Sequence, residues 1–541
     1  MFELIAILLL LASNSITSSE ASNCQPKPIA IPIKNVPLSN NAQVHGISLS
    51  VGSPPQNISF LANAQVSVTT YIYGLNGHCS GTTPPGKCVS ERGGQYDQSK
   101  SSTTSFGNDE SSSDATVAPM EWVKDTLQAQ DSFTLPEFNF GTPSVALNIS
   151  AYQSQSQLGL GRNSTILTML KQAGTIASRA YSFYWGLVGG QPGRQTSGSL
   201  ILGGFDESIV ADASNNYTAS LNYRSGNCSS GLFVSISDMK LAWPNGTTNS
   251  LFRGSQSSSL SACIDIAYVG LLNLPVDYYD TFLDFAGGQQ ANPSRSFGLN
   301  FFTMLFEPAG VRRYYGDFMI TLDNRIDIRI PNDQLVVDEP TLDDSGHLVT
   351  NSSVKNIVLD SLQANNIYDL AILGRLFFSS AYLMVNHESS TFTIWEANAK
   401  PPLPQPKAIA ADNTITGDFC DNAAEPSMTP SDLDSVNSEK KHLSGGAIAG
   451  IVIGGLAGGV LVLSAVLLLV KRRFRYGSSP GHGFDSQPEY KPPAELDKPN
   501  EVMNSPPVEM PHTDSMYGLS HQSPPQELYG QPIPRHLVHN D

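Results

Sequence analysis

The chain has 541 residues, a formal net charge of -17 and only 15% charged residues. This length exceeds what one hydrophobic core usually organises, so we expect two or more units. The acidic balance excludes non-specific nucleic-acid binding, which needs basic patches, and we expect no nucleic-acid partner. Abundant Ser, Gly, Pro and Asn are typical of an all-β extracellular protein.

Residues 1–21 are interpreted as a cleaved secretory signal peptide. They hold the apolar run Leu4–Ala12, and small residues follow it. The alternative is an N-terminal membrane anchor. The run is short for a membrane span, so the signal peptide is the preferred interpretation.

Residues 25–400 contain many short segments with apolar residues at every second position, broken by Gly, Pro, Asn and Ser. Examples are Ala30–Ile33, His45–Val51 and Arg325–Ile330. This pattern predicts an all-β ectodomain. The few helical candidates are Thr165–Ala173, Val276–Phe285 and Arg375–Ala381. Periodicity alone leaves any β-sandwich or barrel open.

The cysteines and the glycosylation sequons all lie before residue 445. Cys79 and Cys88 close a short loop, and we predict a disulfide between them. Cys24, Cys228, Cys263 and Cys420 allow three pairings, which the sequence does not separate. Their distribution indicates an oxidising exterior. The predicted glycosylation sites are Asn57, Asn148, Asn163, Asn216, Asn227, Asn245 and Asn351.

The C-terminal part predicts a single-pass type I membrane protein. Residues 401–444 lose the strand pattern and are interpreted as an extracellular stalk. Residues 447–470 are uncharged and mostly apolar, long enough to cross a hydrocarbon core of about 30 Å. The basic cluster Lys471–Arg475 places the C-terminus in the cytoplasm of a plasma-membrane protein. Residues 471–541 are polar and Pro-rich, which predicts a disordered cytoplasmic tail.

Glycines in the predicted span recur every four residues, at Gly446, Gly450, Gly454 and Gly458. Small residues at this spacing allow two membrane helices to approach closely, so self-association is one hypothesis. The alternative is that Gly is simply common in membrane helices.

Several motifs follow one another in a recognisable order. They are the turn and strand Val51–Val68, then Gly93–Thr103, Gln157–Gly161, Ala180–Tyr184, Gly198–Asp206, Ala262–Tyr268, and Ala371–Leu383. In this order the chain resembles the pepsin-like aspartic proteases (peptidase A1), and among them the fungal membrane-anchored type. The resemblance implies a bilobal pepsin-like fold, with an N-terminal lobe at about 43–215 and a C-terminal lobe at about 216–398.

The resemblance also identifies the candidate site residues. In this family each lobe supplies one aspartate, and the two carboxylates share a proton while they activate water. Asp265 stands at the second of these positions, whereas Asn63 stands at the first. An amide does not take a proton from water at ordinary pH, so the two-carboxylate mechanism is lost.

The residues that support the catalytic pair in the family are also changed. Ala64 with Gln65, and Ile266 with Ala267, replace the hydroxyl and glycine residues that follow each aspartate. The segment that matches the substrate flap begins at Phe106 and lacks its tyrosine. The alternative is that Asp97, Asp109 or Asp114 serves as the first aspartate, although none of them ends an apolar strand.

These observations lead to the hypothesis of a cell-surface glycoprotein with a peptidase A1-like ectodomain that is inactive as a protease. It would bind a peptide, a protein or a cell-wall polymer in its cleft, or act in surface sensing. The alternative is an active membrane-anchored aspartic endopeptidase with an atypical site. A third hypothesis is a purely adhesive or structural surface protein. We expect no metal and no cofactor.

Overall fold

The computed structural model of the chain describes residues 24–65, 69–109, 119–130, 132–147, 155–190, 192–224, 227–253, 259–287, 294–306, 314–364 and 366–420. The predicted signal peptide, the span at 447–470, the tail and Asn148 lie outside these ranges. No helix within them is long and apolar enough to cross a membrane. The described chain is mostly β-sheet, which confirms the all-β class.

The strands of the first half are β1 (Ile29–Pro37), β2 (Gln43–Val51), β3 (Gln56–Asn63), β4 (Ser105–Phe106), β5 (Met120–Ala129), β6 (Phe133–Pro143), β7 (Gln157–Gly159), β8 (Ala180–Tyr184), β9 (Gly198–Leu202), β10 (Gly204–Asp206) and β11 (Asn216–Ser220). The strands that follow are β12 (Phe233–Ala242), β13 (Thr248–Ser250), β14 (Leu260–Ile264), β15 (Leu272–Leu274), β16 (Ser294–Arg295), β17 (Met304–Phe306), β18 (Asp317–Leu322), β19 (Ile326–Ile330), β20 (Val336–Leu342), β21 (Leu348–Ile357), β22 (Leu359–Ser361), β23 (Ala371–Leu373), β24 (Ala381–Asn386), β25 (Thr391–Glu396), β26 (Pro406–Ile409) and β27 (Ile415–Thr416). The α-helices are α1 (Pro85–Glu91), α2 (Thr165–Gln172), α3 (Val276–Ala286) and α4 (Asn332–Leu335).

The helices predicted near Thr165 and Val276 are therefore present, as α2 and α3. The segment Arg375–Ser379 is also helical, but it forms a 3-10 helix. Ser164 begins α2 by accepting a hydrogen bond from the backbone N–H of Leu167 at 3.3 Å. The buried face of α2 is apolar, because Ile166, Leu167 and Leu170 recur at helical spacing.

A twelve-stranded sheet combines strands from both ends of the described chain. Its path is β11-β25-β24-β8-β9-β1-β2-β3-β7, with β5 paired to β2, β4 and β6. The alternation in β1 buries Ile29, Ile31 and Ile33, as its period-two pattern predicts. Register is fixed by this buried face, with Ile33 opposite Ile47 and Ile29 opposite Leu202.

An eight-stranded sheet is built only from residues of the second half. Its path is β19-β18-β12-β14-β23-β15-β22, with β13 paired to β12. Two smaller sheets complete the fold, in the orders β16-β17-β21-β20 and β10-β26-β27. The apolar faces of the two large sheets share one continuous buried core.

Residues 401–420 differ from the sequence-based expectation of a stalk. The strand β26 pairs with β10 and β27, and Cys420 forms a disulfide with Cys24. The backbone N–H of Gln25 donates to the carbonyl of Asp418 at 3.0 Å. The boundary predicted at residue 400 is therefore wrong, because this Pro-rich segment finds its strand partner about two hundred residues earlier in the chain.

The disulfide predicted between Cys79 and Cys88 is confirmed. The remaining cysteines pair as Cys24 with Cys420 and Cys228 with Cys263. Cys263 lies in β14, two residues before Asp265. This bond therefore holds the strand that carries the predicted site residue to the segment before β12.

Candidate functional site

Both predicted site residues lie where a buried strand meets a second, parallel strand. β3 ends at Asn63, which pairs with Gly159 of β7. β14 ends one residue before Asp265, where Ile264 pairs with Leu373 of β23. Apart from β15 with β22, these are the only parallel strand pairs of the described sheets. The backbone arrangement around Asn63 is thus repeated around Asp265.

The side chains of the two residues make the same local hydrogen bond. Asn63 Oδ1 accepts from the backbone N–H of Gln65 at 2.8 Å. Asp265 Oδ1 accepts from the backbone N–H of Ala267 at 2.9 Å. A bond to the N–H two residues ahead fixes each turn, as Asn and Asp do in many loops. The two turns therefore share the same local hydrogen bond.

A glycine that follows the parallel partner strand comes close to the chain two residues after Asn63 in one case and five residues after Asp265 in the other. A Cβ on Gly161 would lie 2.2 Å from the carbonyl oxygen of Gln65. A Cβ on Gly374 would lie 2.2 Å from the carbonyl oxygen of Gly270. Only glycine permits these approaches. An arginine follows each glycine, Arg162 in one case and Arg375 in the other.

Asn63 uses its second polar atom within its own region. Its Nδ2 donates to Oε1 of Gln157 at 2.6 Å, and both side chains are fully buried. A neutral amide pair satisfies donor and acceptor without burying a charge. This position therefore holds no carboxylate, and its polar atoms are engaged.

Asp265 uses its second oxygen to reach the other turn. Gln65 Nε2 donates to Asp265 Oδ2 at 3.1 Å. Because Gln65 also donates its backbone N–H to Asn63, this one residue contacts both predicted site residues. The structure thus links Asn63 and Asp265 through Gln65, a residue that stands where the resembled family has a glycine.

The environment of Asp265 opposes its ionisation. Burial raises the pKa of Asp265, and this effect outweighs the hydrogen bonds from Ala267 and Gln65 and the charge of Arg375, which lower it. Asp265 as a whole residue is half-buried. It is therefore the one ionisable acid that the two turns present.

Arg375 is a residue of this site that the sequence analysis did not single out. It donates from Nη1 to the carbonyl of Ala267, two residues after Asp265, at 3.0 Å. Its guanidinium also lies 5.3 Å from the ring centroid of Trp185. Burial lowers the pKa of Arg375 to about 10, so it remains a cation at neutral pH. A signal was present, because Arg375 stands where the resembled motif has an aspartate.

His45 completes this side of the site as a neutral group. Its ring packs edge-on against Trp185, and its Nε2 lies 3.3 Å from the Trp185 carbonyl oxygen. Burial, reinforced by the charge of Arg375, lowers the pKa of His45 to about 4. His45 is therefore neutral at neutral pH, and Arg375 is the cation whose charge acts on Asp265.

The other residues singled out in the sequence have different surroundings. Ala64 and Ala267 are buried and bring no hydroxyl to the turns. Tyr268 donates to Oδ2 of Asp360 at 2.7 Å. Phe106 is 95% exposed on β4, so its ring covers nothing within the described chain. Asp97 accepts a hydrogen bond from Ser99 and forms an ion pair with Lys100. Nothing therefore supports the alternative in which Asp97 serves as the first aspartate.

The predicted glycosylation sites that the structure describes lie on its surface. Asn57, Asn163, Asn227, Asn245 and Asn351 are exposed, and Asn216 is half-buried. Glycosylation itself stays a prediction. Within the described ranges, no group of three or more His, Cys, Asp and Glu residues is arranged to hold a metal ion.

Comparison with known proteins adds no relative. No model of a protein family matches the chain, and no curated protein sequence matches it either. The pepsin-like interpretation therefore depends on the motifs and on the paired turns, and it is developed below as a proposal.

Proposed function

We propose that this chain is a type I membrane glycoprotein of the cell surface whose pepsin-like, two-lobed ectodomain binds a ligand without cleaving it. The ligand class is a peptide, a protein or a cell-wall polymer, held in the cleft between the lobes. The chain is anchored by residues 447–470, with its C-terminal tail in the cytoplasm.

One observation carries this proposal. The two turns present a single carboxylate, Asp265, which the side-chain amide of Gln65 contacts, while the other turn has the amide of Asn63 in place of an acid. The aspartic-protease mechanism needs two carboxylates that share one proton. One carboxylate beside amides and Arg375 offers hydrogen-bond donors and acceptors for binding instead.

The test is cleavage of a mixed peptide library by the full-length protein in detergent, between about pH 3 and pH 7. We expect no cleavage. Cleavage that is abolished both by Asp265→Ala and by pepstatin would contradict the proposal and support the atypical endopeptidase.

A restoration variant makes a negative result informative. It combines Asn63→Asp, Ala64→Thr and Gln65→Gly with Arg375→Asp, since Arg375 would otherwise place a cation beside the new acid pair. The matched control carries the same changes except Asn63→Asp. Acid-dependent cleavage by the first variant and not by the second would support a protease frame that has lost its dyad.

A further inference from the structure

A cavity of about 560 Å³ is lined by none of the residues of the two turns. Arg162 contributes to it from the segment after β7, and the link between β11 and β12 contributes most of the rest. The lining residues that matter here are Arg162, Leu221, Asn222, Tyr223, Arg224 and Phe233. We call this cavity the Arg162 pocket.

No residue in the described part of the chain neutralises the charges of the two arginines of the Arg162 pocket. Arg162 and Arg224 are exposed, and neither has an ion-pair partner among the described residues. The neighbouring acid, Glu388, is already bound by Lys171 and Arg179. The pocket is therefore locally cationic on a chain whose net charge is -17.

The wall of the pocket is held in a fixed orientation. The guanidinium of Arg162 lies 5.4 Å from the centroid of the Tyr223 ring. Tyr223 Oη lies 2.9 Å from Nδ1 of His387, and His387 Nε2 lies 2.8 Å from the carbonyl oxygen of Leu160. Since a carbonyl only accepts, His387 donates through Nε2 and Tyr223 donates to Nδ1.

Because the Tyr223 hydroxyl is bound to His387, the charged hydrogen-bond donors that line the pocket are the side chains of Arg162 and Arg224. The Tyr223 proton is committed to His387, and a guanidinium stacked on a ring keeps its N–H groups free at its edge. Leu221 and Phe233 add apolar surface beside them. Surface charges elsewhere are screened over about 8 Å at physiological salt, so the two arginines dominate the local field.

We propose that the Arg162 pocket binds an oxyanion carried on a ligand with an aromatic or apolar part. A guanidinium group can donate two parallel hydrogen bonds to a phosphate, sulfate or carboxylate, and the pocket has two such groups. The apolar wall packs against the organic part. This site is separate from Asp265 and does not depend on the function proposed for it.

The test is titration calorimetry of the full-length protein with phenyl phosphate, phenyl sulfate and benzoate, and with inorganic phosphate as the probe without an apolar part. We expect at least one aromatic anion to bind more tightly than inorganic phosphate. The preferred headgroup identifies which oxyanion the pocket takes. We expect Arg162→Gln with Arg224→Gln to weaken that binding by at least about tenfold.

The matched control is Arg194→Gln with Arg325→Gln, which removes two exposed arginine charges outside the pocket. It should leave the affinity unchanged, and thermal unfolding should show all three proteins folded. No binding by the wild type, or equal losses in the two double variants, would overturn the proposal. So would binding that is seen only after glycans are removed from Asn163 and Asn227, which lie beside the pocket in sequence.

Discussion

The turn at Asn63 and the turn at Asp265 share one backbone design and differ in how they use it. In both, a side-chain oxygen accepts from the backbone N–H two residues ahead. Asn63 closes its hydrogen bonds inside its own region, whereas Asp265 depends on Gln65 from the other turn. The polar atoms of Asn63 are thus all hydrogen-bonded within its own region, whereas the second turn presents an ionisable carboxyl group. The comparison teaches that two turns with the same local hydrogen bond can differ in whether they present an acid.

The largest expected effect comes from breaking the Asn63 side. Gln157→Leu removes the acceptor for Asn63 Nδ2 in a fully buried place. An unpaired buried donor costs about 2 to 3 kcal/mol of the free energy of unfolding. Urea unfolding of the variant and the wild type measures this difference.

Gln65→Leu is the matched change on the other side. Gln65 is only half-buried, so water can replace the lost donor and we expect a loss of about 1 kcal/mol or less. Equal losses in the two variants would contradict the idea that the turns differ in how closed they are.

A second prediction sharpens the comparison through pH. The pKa of Asp265 is raised in the folded protein, so the folded state binds its proton more tightly than the unfolded state. The wild type therefore loses stability as the pH rises from about 4, the usual pKa of an aspartate, through the raised value. Every unit between the two pKa values changes the free energy of unfolding by about 1.4 kcal/mol.

Asp265→Asn removes this titration and keeps an acceptor for the Ala267 N–H. We therefore expect the stability of the variant relative to the wild type to increase between about pH 4 and pH 7. Urea midpoints at several pH values provide the measurement. A difference that stays constant with pH would show that Asp265 is not held against ionisation.

The smallest expected effect concerns Arg375. Its charge lowers the pKa of Asp265, so Arg375→Gln should raise that pKa further. Arg375→Lys keeps the charge and serves as the control. Carbon-13 NMR titration of the Asp265 carboxyl group measures the change, and an unaltered pKa in Arg375→Gln would mean that the arginine does not act as its counter-ion.

The sequence predicted the β class and the short disulfide because each has a local signal, whereas Asn63 and Asp265 were named through the family resemblance. Alternation marks the strands, and a polar residue after an apolar run marks the end of β3. The roles of Gln157 and Gln65 were not predictable in this way, since their contacts join segments far apart in the chain.

The strand β26 was missed for a related reason. Its prolines and polar neighbours resemble a linker, and only its pairing with β10 makes it a strand. The pairing of the other four cysteines could not be predicted from the sequence either, because four cysteines allow three pairings. Arg375 was the one case with a usable signal, a changed residue inside a quoted motif.

The disulfide between Cys24 and Cys420 makes the described part of the chain a covalent ring. A single backbone cut at any loop inside this ring leaves both pieces joined. For a protein anchored through its C-terminal side, such a nick would not shed the ectodomain from the cell. Under the proposed anchoring, release would require either a backbone cut after Cys420 or a cut inside the ring together with reduction of this bond.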